Sequence, residues 1–226
     1  MIKITKSLEP PQLAVERQKA NGTYRHVDII SVIKKDFFNR CYLCEARPQV
    51  INIEHLVPHR DTHELIFEWG NLFWSCGHCN NIKSAKYDNI LNCATQDDVE
   101  DILIYHFDPF PTEDVHIEVA LSHVDFPQVR QTQALLQAVF NGSTTLKKIE
   151  SNGLRKLIVL ELIRMQRLLL DLDDENKSQE EIADIKLKII SALSPNSLFA
   201  SFKRSKVRNK PNLLAHLKTH IPTLEL

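Results

Sequence analysis

The strongest apolar periodicity lies late in the chain. Leu154, Leu157, Ile158, Leu162, Met165 and Leu169 recur at helical spacing opposite Lys156, Arg164, Arg167 and Asp171, and Leu160, Leu168 and Leu170 widen the stripe. A polar loop over Asp171–Lys177 ends at Ser178-Gln179-Glu180-Glu181, which has the form of a capping box. From there Ile182, Ile185, Ile189, Ile190 and Leu193 carry a second helix to Pro195. Ordinary core packing and a protein partner are both open uses of these apolar faces. Near the start, a short helical run over Leu13–Lys19 follows Pro10-Pro11. Ile29, Ile30, Ile33, Phe37 and Phe38 predict a helix from about Asp28 to Asn39. Between these helical regions the period changes. Val50–Pro58 is a β-branched run, Gly70–Ser75 is a second short strand, and Asn80-Asn81-Ile82-Lys83 reads as the opening of a helix, with asparagine where N-caps favour it. Ile102–Phe107 and Val115–Leu121 also read as strands, broken at Asp108-Pro109-Phe110-Pro111. The expected fold class is α+β. An N-terminal arm and helix occupy 1–40, a compact unit 41–92, a connector with short strands 93–130 and a helical region 131–226.

Composition narrows this picture. With 226 residues, 43% hydrophobic and 25% charged, the chain has room for one well-buried domain or two small ones, and its five glycines argue against a sandwich or barrel. The net charge of −1 supplies no global pull towards nucleic acid or a membrane. No apolar run reaches the roughly 18 residues of a membrane span, and MIKITKSLEPPQ lacks the apolar core of a signal peptide, so the expected location is cytoplasmic with no membrane partner. The charge is unevenly spread. From Tyr87 to Val129 there is no Lys or Arg, while Asp88, Asp97, Asp98, Glu100, Asp101, Asp108, Glu113, Asp114, Glu118 and Asp125 are acidic. This reads as a solvated hairpin or as a docking surface for a basic partner. Lys203, Arg204, Lys206, Arg208, Lys210 and Lys218 stand in a stretch without acids, read as a solvated tail or a phosphate contact.

The sharpest signal is cysteine spacing. Cys41-Tyr-Leu-Cys44 and Cys76-Gly-His-Cys79 are two C-x-x-C pairs with 31 residues between them. Four thiolates in two knuckles close a tetrahedron around structural Zn²⁺, whereas a redox role needs only one pair and a β-α-β setting that is absent here. Cys93 is left over as a buried or free thiol. His78, inside the second knuckle, reads as a bystander or a phosphate-facing side chain.

Between the knuckles the order strand, loop, strand, helix predicts a ββα unit. Its residue types suit metal-assisted phosphodiester hydrolysis. His55 titrates near neutrality and is the candidate base for activating water. Glu54 and Asn80 offer oxygen ligands to one Mg²⁺ or Mn²⁺. Lys83 and Lys86, on the first turns of the predicted helix, are candidates for holding flanking phosphates. Each piece alone is common. Their joint order between two knuckles is not.

That order, C-x-x-C, Glu-His-x-x-Pro, Asn-Leu and C-x-x-C-Asn-x-x-Lys over residues 41–86, resembles the HNH endonuclease (ββα-metal) family. The resemblance implies His55 as general base, Glu54 as the metal-binding acid, Asn71 as the middle asparagine bracing the loop between the strands, and Asn80 as the second metal ligand. Two departures stand out: Glu54 is one methylene longer than the more usual Asp, and Asn81 competes with Asn80 for the last position. His59 and His63 have no settled family role; phosphate binding or support of the site is the use considered for each. More loosely, the arm, the HNH unit and a helical tail containing Phe140-Asn-Gly-Ser-Thr-Thr145 are similar to the HNH nuclease subunit of Septu-type anti-phage systems (PtuB-like), including retron-associated versions. This implies a DNA or RNA substrate and an ABC/SMC-like ATPase partner (PtuA-like), with a homo-oligomer left open. A zinc-stabilised nucleic-acid- or protein-binding module without catalysis, and a nuclease acting on structured RNA such as tRNA, are the rival readings.

Overall fold

A computed structural model describes every residue except Pro48, Pro109 and Pro111, so part of the predicted break near 109–111 lies outside the described residues. Helices α1 (Pro11–Arg17) and α2 (Val27–Asp36) lead into the first knuckle. α2 buries Ile29 and Ile33, and its last residue, Asp36, accepts from the amide and hydroxyl of Ser7 at 2.9 and 2.6 Å, which ties the N-terminal arm to the helix. Strands β1 (Ile51–His55) and β2 (Leu72–Cys76) pair antiparallel, with Ile51 opposite Cys76, Glu54 opposite Phe73 and His55 opposite Leu72. β2 has no exposed residue, as its Leu-Phe-Trp run requires. The connection between the strands carries the one-turn helix α3 (His63–Ile66) and a 3₁₀ turn at Trp69–Asn71.

Helix α4 (Gly77–Lys83) packs on both strands and completes the ββα unit. It starts earlier than the asparagines predict. Its N-cap is Cys76, whose sulfur accepts from the Cys79 amide at 3.4 Å, so the knuckle itself opens the helix. Asn80 and Asn81 lie within the helix. Lys83 ends it, and Lys86 falls beyond it.

After α5 (Val99–Ile102), strands β3 (Leu103–His106) and β4 (His116–Val119) form a second antiparallel hairpin with alternating burial. Its apolar face rests on α6 (Pro127–Asn141) and α9 (Ala200–Arg208). α6 turns into the long α7 (Thr145–Leu172) at Gly142, where φ is +73° and a Cβ would lie 2.5 Å from the Lys148 amide. At 28 residues, α7 is about 42 Å long, and it serves two cores. Ile158, Val159 and Leu162 join the core shared by the N-terminal arm, both hairpins and α6. Met165 and Leu172 join a second core with α8 (Gln179–Leu193), Val207 of α9 and Leu217 of α10 (Pro211–His220). The sequence division at 130/131 falls inside the first of these cores. The Ser178–Glu181 capping box opens α8.

The acidic and basic tracts meet each other. Arg204 Nε lies 2.5 Å from Glu100, Arg208 pairs with Glu100 and Asp101, and buried Lys203 faces Glu161 at 3.5 Å. Half of the basic run, Lys203, Arg204 and Arg208, is therefore folded into α9 as internal charge partners, rather than trailing as a solvated tail. Among the described residues, no helix is long and apolar enough to cross a membrane.

Candidate active site and metal centre

The first knuckle follows the exit from α2, closed by Cys41 N donating to Ala46 O at 3.0 Å and Glu45 N donating to Cys41 O at 2.8 Å, with Glu45 in the left-handed region at φ 60°. The second knuckle is the β2–α4 junction. Together they bring the sulfurs of Cys41, Cys44, Cys76 and Cys79 within 4.8 Å of one another, all as free thiols. Cys44 Sγ and Cys76 Sγ are 3.8 Å apart. A tetrahedron with Zn–S bonds of 2.3 Å has an S···S edge of about 3.8 Å. The four-sulfur set can hold a structural metal such as zinc. Cys93 lies in the main core outside this set, its thiol pushed up to about 12 by burial.

Glu54 and His55 end β1 and send their side chains to different neighbours, as alternation along a strand requires. Glu54 is buried. Its Oε1 accepts from the Tyr42 hydroxyl and lies 3.6 Å from Lys83 Nζ, while Oε2 is sealed from solvent without a hydrogen-bond partner. Burial pushes this carboxyl up to about 7, with Lys83 and Tyr42 opposing the rise. Lys83 is also pushed down by burial, so both members of the pair are driven towards their neutral forms. Lys83 Nζ donates to the His55 carbonyl at 2.9 Å, stitching the end of α4 to the end of β1. This corrects its expected place among phosphate ligands: the ammonium is 2% exposed and engaged inside the fold. Exposed Lys86, beyond the helix, lies near the face of Tyr87.

The His55 ring is clasped between Tyr24 and His59, with centroids 4.9 and 4.6 Å away. Nε2 sits 3.0 Å from the Ile66 carbonyl, which can only accept, so Nε2 carries the proton and Nδ1 carries the lone pair. Nδ1 has no hydrogen-bond partner among the described residues and is not one of the atoms sealed from solvent. Burial lowers the His55 pKa from its ordinary value, which keeps the ring neutral near pH 7. The ring is thus held in one tautomer, with its second nitrogen free to accept a proton.

Asn71 spends its whole amide on the connection between the strands. Oδ1 accepts from Val57 N at 2.7 Å, and Nδ2 donates to Val57 O at 2.9 Å and Leu65 O at 3.1 Å. It therefore acts by positioning the loop that presents Ile66 to His55. Asn80 is half-buried on α4, one turn before Lys83, and its side chain makes no hydrogen bond among the described residues. No hydrogen bond or ion pair joins Glu54, His55 and Asn80 to one another among the described residues. His59 accepts from the Asp61 amide at 3.1 Å, and His63 packs on Phe67 at 5.0 Å. His78 is committed to packing: it bonds Val139 O of α6 at 2.8 Å and Glu150 of α7.

Three neighbours of the site escape sequence reasoning. Tyr24, with exposed Arg25 stacked on its ring at 5.3 Å, arrives from the N-terminal arm, for which no local pattern exists. Tyr42 had a signal: it stands within the first C-x-x-C, 12 residues from Glu54. Comparison of the chain with models of known protein families, with curated proteins and with solved structures gave no match.

Proposed function

We propose that this protein is a metal-dependent endonuclease that hydrolyses phosphodiester bonds in nucleic acid, with His55 as general base. The observation that supports this best is the locked tautomer of His55: Nε2 is held on the Ile66 carbonyl and Nδ1 is left as an accessible proton acceptor. A neutral imidazole with its other nitrogen fixed on a carbonyl is prepared to take a proton from water at a defined atom. Tyr24 and His59 restrict the ring's rotation, and Asn71 holds the loop that supplies the carbonyl.

A hard cation would be held by Glu54 Oε2, the buried oxygen without a partner, together with the Asn80 amide oxygen. Oxygen donors of this kind fit Mg²⁺ or Mn²⁺, which keep several positions for water and phosphate. When bound, the cation neutralises charge on the phosphate. Exposed Arg25 and half-buried His59 border the His55 ring and are candidates for backbone phosphates, as is exposed Lys86 beyond the end of α4. As an effector in an anti-phage complex, the chain would dock an ATPase through apolar residues that stand out from α7 and α8. Leu157, Leu160, Ile163 and Leu187 are each about half or more exposed.

A second reading has its own observation. Glu54 already holds Tyr42 and Lys83, so the ββα unit is charge-compensated without a cation, as in a zinc-stabilised binding module. Incubation with labelled duplex DNA and with structured RNA such as tRNA, in Mg²⁺, Mn²⁺ or EDTA, separates the two. Cleavage of at least one polymer only with a divalent ion supports the nuclease. Binding without cleavage under every condition replaces it with the module.

A further inference from the structure

Far from the knuckles, α7 and α10 end against each other. Asp173 caps the C-terminus of α7, and His216 and His220 stand one turn apart near the C-terminus of α10. Both imidazoles turn Nε2 to the same carboxylate oxygen: His216 lies 2.8 Å from Asp173 Oδ1 and His220 lies 3.9 Å from it, with ring centroids 4.7 Å apart. The three ligand atoms all fall within 4.8 Å of one another. A second, independent observation concerns His216 Nε2. Despite its closeness to the carboxylate, it forms no aligned hydrogen bond and is sealed from solvent. The nitrogen is thus aimed at the carboxylate with its hydrogen-bonding capacity unspent.

We propose that Asp173, His216 and His220 form a second metal site, for a borderline divalent ion such as Zn²⁺, and that its occupancy clasps α10 to the end of α7. Zn–N and Zn–O bonds of about 2.0–2.2 Å give tetrahedral ligand–ligand edges of about 3.3–3.5 Å, between the two separations observed. Two imidazoles and one carboxylate favour zinc-like ions over Mg²⁺ or Ca²⁺, which take oxygen sets. Two helix C-termini converge here, and their exposed carbonyl ends favour a cation. Three protein donors leave a fourth position for water. The site shares no ligand with the four-sulfur set or with the site around His55, and it stands or falls independently of the nuclease reading.

The test counts metal on the untagged full chain. After loading with Zn²⁺ and dialysis, mass spectrometry should find two zinc ions per chain in the wild type and one in both the His216→Ala/His220→Ala and the Asp173→Asn variants. One zinc per chain in the wild type, or two retained in both variants, overturns the site. Titration of the wild type with Co²⁺ needs no variant. One equivalent should bring the intense thiolate-to-metal charge-transfer bands, and a further equivalent should bring ligand-field bands alone; sulfur bands with no further binding reject the site. For the clasp, cleavage by a lysine-specific protease at Lys210 and Lys218 should slow with the second equivalent of Zn²⁺ in the wild type and not in the double variant. Equal rates in the two proteins overturn the clasp.

Discussion

Lys83 is the residue on which two elements turn. Its ammonium touches the Glu54 carboxylate and the His55 carbonyl from the end of α4, almost wholly out of water. Removing one member of a buried pair strands the other, at a typical cost of about 3–5 kcal/mol, whereas removing both is far milder. Lys83→Met should therefore destabilise the protein by about 3 kcal/mol or more, and Glu54→Gln combined with Lys83→Met should lose less than the sum of the single changes in urea unfolding. Additive losses would show that the pair does not interact. Lys6 gives a pH-dependent counterpart. Its ammonium donates to the carbonyls of Trp69 and Leu72 and lies 4.1 Å from the Trp69 ring, bracing the turn that holds Asn71. Burial lowers its pKa from 10.5 to about 8. Between those values the unfolded chain holds more protons than the folded one, so this group's contribution to stability rises with pH across the window and is flat below it. The stability of the wild type relative to Lys6→Met should climb from pH 8 to pH 10. A difference that is constant or falling over that range would contradict the assignment.

Elements with their own periodicity are legible in the sequence, and those set by distant partners are less so. The capping box of α8 is readable because its signal is local, and its worth is testable. Ser178 accepts from Glu181 N at 3.3 Å, and Glu181 answers to the Ser178 amide at 2.8 Å. Ser178→Ala should lower stability by about 1 kcal/mol, a typical N-cap cost, measured by thermal or urea unfolding; no change would mean that α8 is held by packing alone. The ββα order is legible too, from the switch between β-branched runs and a cysteine–asparagine stretch. The start of α4 is not, because a thiol sulfur takes the cap that asparagine usually supplies. Lys83 shows the same limit from the other side. Read from the sequence as a phosphate contact on the first turns of a helix, this lysine in fact ends a short one whose last turn lies over the end of β1. The ring environment of His55 depends on Tyr24, 31 residues earlier in the chain, so no local window of sequence contains it.

At the scale of the molecule, charge tracts that look like partner surfaces in the sequence partly cancel within the chain. Glu100 and Asp101 of α5 receive Arg204 and Arg208 of α9, and Arg204 also donates to Leu193 O at 2.9 Å, locking α9 to the end of α8. Opposite tracts a hundred residues apart become neighbours because α9 packs on β3, which follows α5 directly. Arg204→Ala should destabilise the fold by about 3 kcal/mol, while Lys218→Ala, on the exposed side of α10, should be near neutral; equal effects in unfolding experiments would overturn this division. With Arg204, Arg208 and Lys203 spent internally, the functional claim rests on the surface around His55 and on that one ring. Chemical rescue tests it most directly. His55→Gly should keep its full complement of cysteine-bound zinc, lose nucleic-acid cleavage, and regain part of it when free imidazole is added. Undiminished cleavage by the variant without imidazole would contradict the account.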